Sequence, residues 1–203
     1  MNIDQLVRIV GSRLTSVEDV QRIGEKWFNF FVSHNMIKPG MRILDYGAGL
    51  GRLAIPFNKI AKVVALDVNP DMVAYLKEHG VEAYLATDCN AVQGPFDFAI
   101  SCYVFEHNSV EDCQTLVKQI CKLTDIFYFT YPTVEAFDSK FPPGYAYYKQ
   151  IEKLPLLVNT QTSRMMYYRE LPLLLKGSTF DPNSLYWVKD IGANLFRVIN
   201  RKI

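Results

Sequence analysis

The sequence predicts an α/β protein built on a mostly parallel sheet with helices on both faces, and three observations carry that expectation. Short β-branched or aromatic runs alternate with amphipathic stretches between residues 42 and 131. These runs are apolar throughout, as strands covered on both faces are. The first of them ends in a glycine-rich turn that opens a helix. With 203 residues, 49% of them apolar and 21% charged, the chain can bury one good-sized core. A single domain over residues 1–203 is expected, with a helical N-terminal cap over 1–38.

Taken in order, a weak helical signal covers Ile3 to Val10, and a strong one follows. Thr15 and Glu18 form a capping-box pair, and Val17, Val20, Ile23, Trp27, Phe30 and Phe31 recur at three- and four-residue steps. After Pro39-Gly40, Arg42 to Tyr46 reads as a buried strand and Leu53 to Ala61 as a helix. Lys62 to Val68 is a strand, and Pro70 to His79 a helix with proline in its first turn. Val81 to Leu85 and Asp97 to Tyr103 are strands; Val110 to Leu123 is a helix turning Cys113, Leu116, Val117 and Ile120 inward; Ile126 to Tyr131 is a strand. Residues 132–182 are rich in Pro, Tyr and Leu without a clean period. Leu185 to Asp190 and Leu195 to Ile203 are strands close enough, across Gly192-Ala193-Asn194, to pair antiparallel.

Charge narrows the function. Lys+Arg number 22 against 21 Asp+Glu, so no global field holds a polyanion, and nucleic-acid binding is disfavoured. Residues 1–140 carry 13 basic and 17 acidic side chains, residues 141–203 carry 9 and 4. No apolar run reaches the length of a membrane span, and the start MNIDQLVRIVGSRL lacks a signal peptide's apolar segment, so a cytoplasmic location is expected. Cys89, Cys102, Cys113 and Cys121 form no CxxC pair and only three histidines accompany them. No metal site is expected, and Cys102, Cys113 and Cys121 read as core fillers.

The most informative segment is Asp45-Tyr46-Gly47-Ala48-Gly49-Leu50-Gly51-Arg52. Glycines in a strand-to-helix turn let the backbone approach a ligand, and the helix N-terminus offers free amides. A dinucleotide fingerprint G-x-G-x-x-G would need glycine at position 52, where this chain has Arg52. The pattern is acid-x-G-x-G-x-G.

In this setting the pattern resembles motif I of class I S-adenosylmethionine-dependent methyltransferases, and later segments resemble that family in order. The resemblance implies a Rossmann-like, doubly wound, seven-stranded sheet with an antiparallel last strand. It further implies S-adenosyl-L-methionine as cofactor, held by Asp45, Gly47, Ala48, Gly49, Gly51, Asp67, Val68, Asp88, Cys89 and Tyr103. Asp67 ends the second strand where the family receives the cofactor's ribose hydroxyls, a task two carboxylate oxygens suit. Asp88 stands where the family often contacts the adenine amino group. Residues 97–107 resemble the fourth strand and its turn, with the Glu106-His107 pair common in small-molecule methyltransferases. Residues 132–182 stand where the family inserts a substrate cover, so Tyr131, Tyr145, Tyr148, Arg164 and Arg169 are candidates for substrate contact. GLGRLAIPF and the leading helix resemble, more softly, methyltransferases found beside glycan-modifying enzymes. Tyr46 departs from the family's small aliphatic residue and narrows the expected pocket.

Plainer roles compete for several of these residues. The three glycines could form only a tight turn, and Asp67 could cap the next helix, though Asn69 fills that role more naturally. Asp45 could bond turn amides, and Asp97 reads as structural. His34 and His79 lie near helix ends, where a histidine favours the exposed carbonyls. His107 alone falls at the carboxyl end of a central strand, the edge where parallel α/β sheets bind ligands, and is the candidate general base. The expected activity is methyl transfer to a small molecule or glycan, most readily at oxygen. The alternative is a non-catalytic binding or scaffold module on the same fold. The D/N/S-P-P-Y/F motif of amine-modifying DNA methyltransferases is missing after the fourth strand, which reads Ser101-Cys102-Tyr103-Val104.

Overall fold

A computed structural model describes residues 16–87, 92–131, 168–188 and 195–201. Helix α1 (Val17–Ser33) begins at Ser16, whose hydroxyl accepts from the Asp19 amide. The cap is therefore Ser16; Thr15 and the segment Ile3 to Val10 lie outside the described residues. The chain continues through β1 (Arg42–Tyr46), α2 (Ala54–Phe57), β2 (Lys62–Asp67), α3 (Pro70–Glu78), β3 (Glu82–Leu85) and β4 (Phe98–Ser101). After a 3₁₀ turn at Phe105–His107 come α4 (Val110–Ile120), β5 (Ile126–Thr130), a 3₁₀ run at Tyr168–Leu175, β6 (Tyr186–Val188) and β7 (Leu195–Ile199).

The strands form one sheet in the order β3-β2-β1-β4-β5-β7-β6. The pairs from β3 to β5 are parallel, whereas β7 runs antiparallel to both β5 and β6. The order turns back on itself between β1 and β4, which opens a crevice at the carboxyl ends of those strands. The expected antiparallel last pair is present; the turn at Gly192-Ala193-Asn194 lies outside the described residues.

Side-chain alternation divides the core between the two faces of the sheet. Ile43, Val63, Ala65, Phe98, Ile100 and Tyr128 face α1 and α2, meeting Trp27, Phe31 and Phe57. Leu44, Val64, Leu66, Ala99, Phe127 and Phe129 face α4, meeting Leu116, Val117 and Ile120. The ring of Phe31 lies 5.1 Å from that of Phe57 and 5.6 Å from that of Tyr128, so α1 is an integral layer of the fold.

One expectation is corrected here. Helix α2 has four residues where Leu53 to Ala61 was expected: past Phe57 the Lys59 and Ile60 amides bond three residues back, to the Pro56 and Phe57 carbonyls, and the chain tightens into turns. Pro56 supplies no amide to the Arg52 carbonyl. That carbonyl instead lies where a Cβ on Gly24 of α1 would stand, so glycine there lets α1 approach. Of 132–182, the expected substrate cover, residues 132–167 lie outside the described residues. Residues 168–182 place Leu171, Leu174, Leu175 and Phe180 in the core on the α4 face, and the Gln114 amide of α4 donates to the Leu173 carbonyl. Among the described residues no helix is long and apolar enough to cross a membrane.

Candidate active site

The carboxyl ends of β1, β2, β3 and β4 border a cleft of about 870 Å³, the size of a cofactor site. One wall is the turn after β1. Gly47 has φ +77°, which an L side chain rarely adopts, and its amide donates to the Leu66 carbonyl at 2.7 Å. A Cβ there would strike Val104, so Gly47 keeps the cleft open between β1 and β4. The Gly49 amide donates to Asp67 Oδ2 at 2.8 Å and the Asn69 amide to Asp67 Oδ1 at 2.9 Å. Asp67 thus ties two turns together at the cleft surface, while each of its oxygens keeps a further lone pair. Asn69 caps α3 through the Asp71 amide, which frees Asp67 from that task.

Where β1 meets the turn after β4 the cleft is electrostatically unsettled. Asp45 is 2% exposed and its Oδ2 has no hydrogen-bond partner. Burial, and next the charge of Asp67, push its carboxyl up to about 7. Glu106 is 4% exposed with Oε2 unpartnered, and burial pushes it likewise to about 7. The Arg52 guanidinium lies 4.8 Å from the centre of the Tyr103 ring, and its charge partly offsets both shifts. Tyr103 itself has φ +61°, a conformation costing a non-glycine residue about 1 kcal/mol or more. Its amide donates to Thr130 Oγ1 at 2.6 Å, which anchors the turn to β5. Burial raises the Cys102 thiol above its ordinary range, so it lines the cleft as a neutral group.

The cleft gathers Asp45, Gly47, Ala48, Gly49, Asp67, Val68, Tyr103 and His107 from the expected site. His107 sits at the rim on the 3₁₀ turn, and burial lowers its pKa, favouring the neutral imidazole. Gly51 does not line the cleft: a Cβ there would meet Ile55 and Leu76 at 2.6–2.9 Å, so it is glycine for packing. Tyr131 is corrected too; it is 2% exposed and belongs to the core beside Phe129 and Phe196, away from the cleft lining. Cys102, read as a core filler, faces the cleft, whereas Cys113 is buried in the core as expected. Asp97 accepts from the Arg42 amide at 2.7 Å, the structural role expected of it. His34 and His79 each follow a helix end and contact a carbonyl of its last turn. Asp88, Cys89, Tyr145, Tyr148, Arg164 and the side chain of Arg169 lie outside the described residues.

Sequence reasoning missed part of the lining. Asp112, Thr115, Leu116 and Gln119 of α4 border the cleft beside Ala86 and Thr87. Their spacing of three and four residues marks one stripe of the helix, a signal available in the sequence. Arg52 served there only to exclude a dinucleotide fingerprint, yet it lines the site.

Residues 43–125 match the family model described as a methyltransferase domain. Over 76 residues the chain is 34% identical to a ubiquinone biosynthesis O-methyltransferase of Nitrobacter winogradskyi; the match covers 34% of this chain and spans 29% of that enzyme's length. Magnesium protoporphyrin IX methyltransferase from Synechocystis, solved with bound S-adenosylhomocysteine, is similar in fold, with TM-score 0.62 and 15% identity over 96% of this chain and 92% of that one. A glycopeptide N-methyltransferase complexed with S-adenosylhomocysteine is similar at TM-score 0.60 and 15% identity, covering 88% of this chain and 90% of that one. Strand order and glycine turn define a Rossmann-like α/β fold shared with these methyltransferases. Residues 43–125, which include the glycine turn, Asp67 and the turn after β4, are thus similar to a methyltransferase domain.

Proposed function

We propose that the protein transfers a methyl group from S-adenosyl-L-methionine to an oxygen of a small-molecule or glycan acceptor. The observation that carries this reading is Asp67, held by the Gly49 and Asn69 amides at the floor of the cleft with lone pairs to spare. Those residues fit the cofactor: Asp67 would take the ribose hydroxyls, and Gly47 gives backbone room beside them. Asp45 would face the cationic amino-acid end, where a positive neighbour favours its ionised form. When bound, the cofactor supplies an electrophilic methyl on a sulfonium.

The protein's share is alignment, exclusion of water and removal of one proton. His107 is the candidate base, since its lowered pKa leaves Nδ1 or Nε2 free to accept at neutral pH. Tyr103 and Val104 form the wall past which an acceptor would approach. The printed activities of similar proteins include transfer to oxygen and to nitrogen. Oxygen is favoured here by the placement of a neutral histidine, because an alcohol must lose its proton as it is methylated.

Release of S-adenosylhomocysteine on incubation with fractionated small-molecule and oligosaccharide extracts tests the reading. A productive fraction should lose turnover by about 100-fold with His107→Gln while cofactor affinity stays within twofold. Tight cofactor binding with no release from any fraction would favour a non-catalytic module, and release with a nitrogen-only acceptor would overturn the choice of oxygen. A cytoplasmic location goes with this reading and is checked by fractionation.

A further inference from the structure

We propose that Arg52 is the cleft's receptor for a carboxylate carried by a bound ligand, with the ring of Tyr103 as its backing. Arg52 lines the cleft, yet among the described residues it makes no hydrogen bond and no ion pair. Its Nε is buried without a partner, and its guanidinium carbon stands 4.8 Å from the Tyr103 ring centre. Arg52 as a whole is half-exposed at the cleft, so a buried, unpaired donor on its cationic head is placed to meet an entering anion. The neighbouring acids do not supply one within contact distance, since Asp45 Oδ2 and Glu106 Oε2 are themselves unpartnered.

The chemistry of the anion follows from the surroundings. A guanidinium offers a planar fork that matches a carboxylate or a phosphate. Asp45, Asp67 and Asp112 also border the cleft, and Glu106 lies close behind it, so a doubly charged phosphate meets repulsion that a singly charged, flat carboxylate meets less. With its guanidinium carbon over the Tyr103 ring, Arg52 has an aromatic backing that leaves its N–H groups for a carboxylate. The strained turn at Tyr103, pinned by Thr130, holds that backing in place. Two sources carry such a group: the amino-acid end of the cofactor, which rests on the cofactor reading above, and the acceptor itself.

The experiment compares the full wild-type chain with Arg52→Met and Arg52→Lys by calorimetry and thermal unfolding. The ligands are S-adenosylhomocysteine, 5′-methylthioadenosine, which keeps the nucleoside and thioether but lacks the amino acid, and benzoate, with and without saturating S-adenosylhomocysteine. If the carboxylate is the cofactor's, Arg52→Met weakens S-adenosylhomocysteine at least about tenfold and methylthioadenosine less than twofold, and Arg52→Lys lies between. If it is the acceptor's, both nucleosides bind the variants normally, while benzoate binds wild type and not Arg52→Met. In either case, ligand-free Arg52→Met unfolds within about 2 °C of wild type, because Arg52 is half-exposed and its buried Nε makes no bond within the described residues. Equal weakening of both nucleosides, or loss of neither ligand class, overturns the proposal. So does an unfolding temperature lower by more than this, which would show Arg52 paired within the chain. Failure of wild type to bind either nucleoside sinks the cofactor reading instead, and the benzoate and unfolding measurements then decide Arg52 alone.

Discussion

The two walls of the cleft stand one strand apart on the same sheet edge and handle charge in opposite ways. After β2, Asp67 is nearly buried, and both of its oxygens accept backbone amides, from Gly49 and Asn69. After β1 and β4, Asp45, Arg52 and Glu106 all keep buried polar atoms without partners, and Tyr103 holds a strained backbone. The first wall is complete without a ligand, so it is a preorganised scaffold. The second wall keeps unpartnered polar atoms, and it is on these that the proposed role of Arg52 rests.

The largest test of this contrast is Asp67→Ala. It removes the two oxygens that the proposed function gives to the cofactor's ribose, and the tie between two turns, and cofactor affinity by calorimetry should fall about 100-fold with the fold retained by circular dichroism. Wild-type affinity would end the assignment of that wall. Next comes pH. The folded-state values of Asp45 and Glu106, both about 7, lie above their ordinary values of 3.8 and 4.5. The native state therefore holds extra protons between about pH 4 and pH 7, and the stability these groups contribute is lost as pH rises through that window. Asp45→Asn should remove about 3 kcal/mol of that pH dependence in urea unfolding between pH 4.5 and pH 8. An unchanged slope would show that the second wall is paired after all.

The smallest effect separates strain from stacking at Tyr103. Tyr103→Ala loses the ring over Arg52 and keeps the left-handed backbone, whereas Tyr103→Gly relieves it. The glycine variant should be the more stable by about 1 kcal/mol in urea unfolding. Equal stabilities would mean that the turn carries no strain.

Much of the first wall was legible in the sequence, and little of the second. Glycine spacing and the acid at the end of the second run are local signals, set by what a backbone turn near a ligand requires, and Gly47, Gly49 and Asp67 stand where those signals point. Gly51 shows the limit: its place in the same pattern hides a packing role against Ile55 and Leu76 that only the fold reveals. Tyr131 looked available because it follows a strand in an aromatic stretch, but the described residues bury it with Phe129 and Phe196. Helix α2 ends after Phe57, although the apolar pattern runs on to Ala61, because the Lys59 and Ile60 amides bond three residues back rather than four.

By itself the sequence determined the alternation of strands and helices, their order, the glycine turn and the acids at strand ends, because these depend on periodicity and on residue chemistry at short range. The tertiary structure alone decided which polar groups meet and which are left alone. Asp45, Arg52, Tyr103 and Glu106 are brought together only by β1 pairing with β4, and the burial of Asp45 and Glu106, which raises their carboxyls, is a property of the packed sheet edge.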